Sequence, residues 1–464
     1  MLSFDEVAAA TGARISGHVP DVELRSVVID SRLVEPGSLF VCLRGARHDG
    51  HAFARAALSD GAVAILAQEG VDLNVPPDTP VLSVLDPLAS LGQVAAAWRA
   101  KLPTTLIGVT GSSGKTSTKE MLAAYLSRFG SVGKTEANHN NELGVPLTLL
   151  SFQPDMRFGI VEMGMRAEGE IAVLARMAGP AVGVVTNVGT AHIGRLGSRE
   201  AIARAKAELW QHLAPGGVAI APWDDALASL EAARWGGRIV TWSLTDPGAT
   251  VWSHDVQAFG EGQVFTAYWK AGPGLRHGRA EVRLPLWGDH HRANALAALA
   301  VGWALGLVPE ARLEIRPDTL PGRARNLELG GVGITDDAYN ANPESVRAAL
   351  KAFSERPSQG RRIAVLGDMA ELGDHTAEAH RGIGAYAATL ALDELVAIGV
   401  EAPRYAEGCG DGLPCRVLGT PDEAVAYLLG QLAPGDRLLL KASRSARLER
   451  VLEGLAAAWG GARS

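Results

Sequence analysis

The sequence predicts an α/β protein of three domains, the central one a mostly parallel sheet with helices on both faces. Three observations predict it. The chain is 464 residues long, too long for a single hydrophobic core. Apolar runs of buried-strand length alternate with helical stretches, the pattern of strand–helix–strand crossovers. One of those strands, Thr105-Leu106-Ile107-Gly108-Val109, runs directly into a glycine-rich turn and a helix.

The elements follow in order. In the first unit, residues 1–85, Arg25-Ser26-Val27-Val28-Ile29-Asp30, Ser38-Leu39-Phe40-Val41-Cys42-Leu43 and Ala62-Val63-Ala64-Ile65-Leu66-Ala67 read as strands, and 53–58 as a helix. The run Pro76-Pro77-Asp78-Thr79-Pro80 punctuates this unit, and a helix over 88–101 follows it. In the second unit, 86–312, Phe158-Gly159-Ile160-Val161-Glu162 and Ala181-Val182-Gly183-Val184-Val185-Thr186 are further buried strands, each leading into a helix. Segments 250–253, 264–269 and 281–284 alternate as antiparallel strands appended to that sheet. In the third unit, 313–464, strands at 333–337, 363–367, 394–398 and 437–441 alternate with helices such as 345–353 and 423–431.

The turn after the first central strand is Thr110-Gly111-Ser112-Ser113-Gly114-Lys115-Thr116. Strand, glycine-rich turn, Lys-Thr and helix is the layout of a phosphate-binding loop. Successive backbone N–H groups and the positive helix N-terminus cradle a polyphosphate, the lysine reaches the terminal phosphates, and the Thr116 hydroxyl holds Mg²⁺. Val109 stands where most such loops have their first glycine.

Composition narrows the function. Hydrophobic residues make up 47% and charged residues 20%, the balance of a globular chain with sizeable cores. A net charge of −7 without a basic block argues against nucleic acid as a main partner. Cys42, Cys409 and Cys415 form neither a disulfide framework nor a zinc spacing, and read as thiols of a reducing cytosol. Asp5 and Glu6 replace the basic start of a secretory signal, and no uncharged apolar run approaches the ~18–20 residues of a membrane span. A cytoplasmic protein without a membrane partner is expected.

Further polar groups fall at strand ends, where α/β proteins place their chemistry. Glu162 ends its strand and suits either a magnesium contact or a solvated acid. His192 follows the next strand in a glycine-rich turn, as a metal ligand or a structural histidine. Lys206 lies in a clear helix and, taken alone, reads as an exposed lysine. Asp289-His290-His291-Arg292-Ala293-Asn294 opens an alanine-rich helix, where polar residues either cap or touch a ligand. Asp336 and Asp337 end another strand, and adjacent acids there are costly unless cations or hydroxyls meet them.

These stations resemble the ATP-dependent Mur ligases over essentially the whole chain. The specific markers are the 110–116 loop without its first glycine, Asn138-His139-Asn140-Asn141-Glu142-Leu143-Gly144-Val145-Pro146, Asp337-Ala338-Tyr339-Asn340-Ala341-Asn342-Pro343 and Gly367-Asp368-Met369-Ala370-Glu371-Leu372-Gly373. Together they are most similar to the member that adds D-alanyl-D-alanine. The Asp-Asn-Pro-Arg motif usual in the sister that adds a diamino acid is absent, and Ala442 stands where glycine is common. The resemblance implies an N-terminal α/β domain that binds a UDP-sugar, a Rossmann-like C-terminal domain that binds D-Ala-D-Ala and closes over ATP, and a monomer. It implies amide formation on UDP-N-acetylmuramoyl-tripeptide through an acyl phosphate. Thr116, Glu162 and His192 are then the Mg²⁺ ligands, with Lys115 and a CO₂-derived carbamate on Lys206 as catalytic groups. The 110–116 loop, Asn294, Arg323 and Asp337 hold the nucleotide, and Ser31, Arg32, Asn140, Asn141, Asn340 and Asn342 are the substrate contacts. Another Mur-type or folate-polyglutamate-type ligase, or a phosphate-loop ATPase switch, is the alternative.

Overall fold

The computed structural model describes residues 1–18, 24–45 and 47–460. Three sheets organise them. The first has five strands in the order Arg14–Ser16, Val81–Val84, Ala62–Gln68, Ser38–Val41, Ser26–Val28, parallel except for the first pair. The third has six, Arg325–Leu329, Val332–Asp337, Arg437–Lys441, Arg362–Gly367, Glu394–Ile398 and Cys415–Leu418, again parallel after an antiparallel first pair.

The central sheet has ten strands. Val132–Lys134, Phe158–Glu162, Thr105–Thr110, Val182–Val185, Val218–Pro222 and Arg238–Trp242 lie side by side and parallel. Val251–Phe259, Gly262–Trp269 and Gly278–Leu284 extend it as an antiparallel meander, and Arg312–Glu314 closes the edge. The meander is the appended antiparallel segment expected from 250–284. Eight short strands escaped the sequence reading, among them Val132–Lys134 and Cys415–Leu418. At three to five residues each, their apolar runs are too brief to stand out from loops. The helix read at 53–58 begins with a 3-10 turn, Gly50–Phe53, because the Asp49 side chain accepts from His51 N and tightens that turn.

Helices cover both faces of the central sheet. On one face Lys115–Leu126 and Asp289–Ala304 pack through Met121, Leu122, Tyr125, Leu296 and Leu299. On the other, Pro87–Lys101, Gly144–Ser151, Glu170–Ala178 and Arg199–Gln211 form a core that continues into the first sheet through Leu39, Val41, Leu66 and Leu82. The first two units therefore share apolar packing, and the third has its own, one cluster on each side of its sheet. The helix starts obey ordinary capping rules. Asp86 accepts from Leu88 N and Ala89 N before Pro87–Lys101, and Ser198 accepts from Ala201 N before Arg199–Gln211.

Strand Thr105–Thr110 sits where the chain switches direction across the sheet, with Phe158–Glu162 on one side and Val182–Val185 on the other. That crevice at the carboxyl ends of parallel strands is where open α/β sheets bind ligands.

Candidate functional site

The 110–116 turn takes the conformation its glycines allow. Gly114, at φ 76°, caps helix Lys115–Leu126, and a Cβ there would stand 2.9 Å from Asn294 Oδ1. A Cβ on Gly111 would strike Thr186 Oγ1 at 1.8 Å. Both positions need glycine for conformation or space. No side chain caps the helix, so its leading N–H groups are left for a ligand. Asn187 clamps the loop from the next strand end: its Oδ1 accepts from Ser113 N at 3.0 Å and its Nδ2 donates to Ser113 Oγ at 2.9 Å. Thr110 is fully buried at the strand end, and Ser112 Oγ accepts from Gly189 N at 2.9 Å. Lys115 folds back over the turn, with Nζ donating to Gly111 O at 2.9 Å.

Glu162 is aligned with Val109 in the sheet, which brings its carboxylate beside the loop. Thr116 Oγ1 donates to Glu162 Oε2 at 2.8 Å, and Asn140 Nδ2 donates to Oε1 at 2.9 Å. Asn294 Oδ1 accepts from Thr118 Oγ1 at 3.2 Å and closes the loop from the alanine-rich helix. Thr116, Asn140, Glu162 and Asn294 line a cavity of about 490 Å³ whose opposite wall comes from the third unit.

That wall carries Arg323, Asp337, Asn340 and Asn342. Arg323 lies over the Tyr339 ring, 4.0 Å from its centroid. Asp337 takes an ion pair from Lys441 at 2.6 Å, and Asp336 accepts from Gly322 N at 2.8 Å. The two adjacent acids are thus met, one by an ammonium and one by backbone. Burial still pushes the Asp336 carboxyl up. Asn342 is already engaged, since its Oδ1 caps helix Pro343–Glu355 through Ser345 N and its Nδ2 reaches Ser112 O at 3.4 Å.

His192 and Lys206 do not line this cavity but lie within reach of the Lys115 charge. His192, left-handed at φ 67°, places Nδ1 2.6 Å from Glu371 Oε2 of the third unit, off the line of a hydrogen bond. Burial lowers its pKa, and Lys115 and Lys206 lower it further against the opposing pull of Glu371. Lys206 is 1% exposed, which overturns its reading as a surface lysine. It makes no ion pair among the described residues. Burial first, and then the Lys115 charge, push its pKa well below the ordinary lysine value. Burial likewise lowers that of Lys115, while Glu162 pulls the other way.

A second cavity, of about 1070 Å³, lies between the first unit and the central one. Ser31, Arg32 and Asn141 line it. Arg32 is fixed to Asp30 by a two-pronged ion pair, Nε to Oδ1 at 2.9 Å and Nη2 to Oδ2 at 2.6 Å, which holds the Asp30 carboxyl down to about 2. Asn140 and Asn141, adjacent in sequence, thus face different cavities.

Two residues outside the expected set join the units. Glu344 accepts from Thr190 N at 2.8 Å and from Thr190 Oγ1 at 3.1 Å. Glu371 meets His192. In sequence Glu344 reads as an ordinary acid in a first helical turn. Glu371 lies inside a recognised marker, yet nothing local reveals that its left-handed backbone, φ 64°, aims it at another domain.

The comparisons place this geometry in a known class. Residues 23–99, 109–302 and 322–444 match the Mur ligase family catalytic domain, the Mur ligase middle domain and the Mur ligase glutamate ligase domain. The chain belongs to the Mur ligase family. Within it, the chain is 41% identical to the UDP-N-acetylmuramoyl-tripeptide–D-alanyl-D-alanine ligase of Synechocystis sp., covering 94% of this chain and 93% of that one. It is 34% identical to the Escherichia coli ligase of the same description, over 94% of each. Of solved structures, MurF from Acinetobacter baumannii superposes with a TM-score of 0.86 at 31% identity over 98% of both chains. MurF from Thermotoga maritima in complex with ADP gives 0.80 at 31% identity, over 94% of this chain and 98% of that one.

The same interface sets a pH response. The His290 and His291 rings lie 4.0 Å apart, tilted by 42°, within reach of the Lys441 charge. Part of the His290 ring reaches the cavity. Even so, the packed protein around it, and then Lys441, push its pKa down to about 4. The unfolded chain binds that proton first, so this group's stabilising contribution is complete above about 6.5 and is lost as pH falls toward 4. His290→Gln should flatten the decline in melting temperature between those pH values relative to wild type. Parallel curves for the two proteins would contradict the assignment.

Proposed function

We infer that the chain is an ATP-dependent ligase that joins D-alanyl-D-alanine to UDP-N-acetylmuramoyl-tripeptide, giving the pentapeptide precursor of peptidoglycan, ADP and phosphate. The observation that carries this reading is the cavity in which Lys115, Thr116 and Glu162 face Arg323 and Asp337 across two units, in a chain similar to such ligases from end to end.

The chemistry follows from the charges. The tripeptide carboxylate attacks the γ-phosphorus, the bond to the β-phosphate oxygen breaks, and ADP and an acyl phosphate result. The dipeptide amine then attacks the acyl carbon, a C–N bond forms, the C–O bond to phosphate breaks with its electron pair going to phosphate, and the amine proton passes to the departing phosphate or to solvent. Carboxylate and triphosphate repel one another, so the first step needs fixed positive charge. Lys115 and the helix N–H groups supply it on the phosphates, and Arg323 approaches from the third unit.

Thr116 Oγ1 and Glu162 Oε2, paired oxygens on the cavity wall, fit one Mg²⁺. The ion would take phosphate oxygens and waters as its remaining ligands, since no cage of three or more His, Cys, Asp or Glu exists among the described residues. Burial keeps the His192 ring neutral, the form that ligates a second ion. Bound there, the metal offsets the charge of phosphate and carboxylate. Asn294 and Asp337 would hold base and ribose. Residues 1–85 would take the UDP-sugar, with Ser31, Arg32 and Asn141 at its cavity. Residues 86–312 would bind ATP and 313–464 the dipeptide, with Asn340 and Asn342 near it and Asn140 beside the phosphates. A cytoplasmic monomer completes the reading.

Lys206 is the group we assign to carbamylation. Burial pushes its pKa down, which favours the neutral amine that adds to CO₂ with loss of a proton, and the resulting carbamate would supply an anion near His192 able to hold a metal ion. Lys206→Ala should be nearly inactive and should regain partial turnover with short carboxylic acids. Normal turnover, or no rescue by any acid, would exclude the carbamate.

Phosphate release should require both UDP-linked tripeptide and D-Ala-D-Ala, with kcat/KM for the dipeptide far above that for D-alanine, L-lysine or diaminopimelate. Release without either acceptor would favour an ATPase switch, and preference for a single amino acid a sister ligase. Lys115→Ala should lower turnover by about 10³-fold or more while the melting temperature holds, as expected for loss of a transition-state contact. Near-normal turnover by the folded variant would refute the loop assignment.

A further inference from the structure

Helix Lys115–Leu126 carries a second lysine toward the strand ends. Thr116 and Lys119, three residues apart, share one helix face, and both approach Glu162. Lys119 is 1% exposed and does not line the cavity. Its Nζ donates to Thr135 O at 2.6 Å, and lies 3.2 Å from Glu120 Oε1 and 3.9 Å from Glu162 Oε2. Glu120 is held in turn by Lys134, at 2.5 Å, and Lys134 reaches Asp318 Oδ2 at 2.6 Å. Alternating charges therefore run inward from Asp318, between the central and third sheets, to Glu162.

Burying an ammonium is costly unless anions meet it. Nothing in nucleotide binding or phosphoryl transfer as described above uses Lys119. Lys115 supplies the missing reason. Glu162 attracts Lys115, and in a buried cavity an isolated carboxylate and a neighbouring ammonium pair readily. A Lys115 so paired would be withheld from phosphate. In this structure it bonds to the neutral carbonyl of Gly111 instead. The carboxylate is already occupied, by Thr116 and Asn140 at hydrogen-bond distance and by Lys119 behind them.

We propose that Lys119 is the resident counter-cation of Glu162, a positioning residue that keeps Lys115 free for the incoming phosphate. The proposal rests on the reading of the 110–116 loop as a nucleotide site.

The test is equilibrium binding of ADP to the full chain in EDTA, which removes metal from the comparison. Lys119→Met should bind ADP about tenfold more weakly, the scale of one charge-assisted hydrogen bond, because Lys115 turns to Glu162. The double variant Lys119→Met/Glu162→Gln should bind as Glu162→Gln does, since no carboxylate remains to capture Lys115. Lys134→Met, at a more exposed position, should weaken binding about twofold in the same direction, as Glu120 draws Lys119 away from Glu162. It is the deciding variant if Lys119→Met does not fold. Unchanged affinity in whichever variant is decisive, or a loss that persists in the double variant, would overturn the proposal. Lys115→Ala separates the two readings. If it binds ADP as wild type does, the loop assignment falls and the proposal with it. If it binds weakly while Lys119→Met binds normally, the proposal alone falls.

Discussion

Poorly solvated basic groups govern this molecule. Half-buried Lys115 and buried Lys119 and Lys206 lie around the carboxyl ends of the central strands, and Arg323 lines the cavity from the third unit. Lys206 has no carboxylate partner among the described residues, and its pKa and that of Lys115 are lowered because the protein solvates neither well. Such a site is electrostatically incomplete without anions. A triphosphate and a carboxylate, which repel one another in water, each complete it, so their approach is favoured where it would otherwise be opposed.

The fold creates that deficit by geometry. Parallel strands end together, so Thr110, Glu162 and the residues after Val185 arrive at one rim, with the phosphate loop at the strand where the chain changes direction. The third unit closes the rim through many modest contacts. Glu344 meets the Thr190 loop, Lys351 meets Asp289, and Glu261 at the tip of the antiparallel meander meets Arg356 and Arg437. Backbones also meet closely at Gly194, where a Cβ would stand 2.9 Å from Gly373 N. Ion pairs with an exposed partner contribute little each, so closure depends on modest terms that ligand charge can tip, as an enzyme that exchanges nucleotide requires.

Much of this was legible in the sequence. Strands such as Phe158–Glu162 and Glu394–Ile398 announce themselves as apolar runs, and the phosphate loop is a contiguous pattern whose chemistry is local. Strand order was not legible, because the insertion of Thr105–Thr110 between two later strands is decided by packing far along the chain. Nor was the partnership of His192 with Glu371, or of Thr190 with Glu344, since each joins residues more than a hundred positions apart. Asn342 shows the converse difficulty. Its place in a recognised motif suggested a substrate contact, while the structure commits its side chain to capping a helix and holding Ser112 O.

The lysines teach the sharper lesson. Lys119 and Lys206 are both helical, both 1% exposed, and indistinguishable by local pattern from surface residues. What separates them is the company each keeps. Lys119 lies within ion-pair distance of two carboxylates and on a carbonyl, so its ammonium is a fixed charge that orders Glu162. Lys206 has no carboxylate at ion-pair distance among the described residues, so burial and then the Lys115 charge push its pKa down. Burial alone therefore does not decide the electrostatic setting of a lysine here; the carboxylates within its reach do.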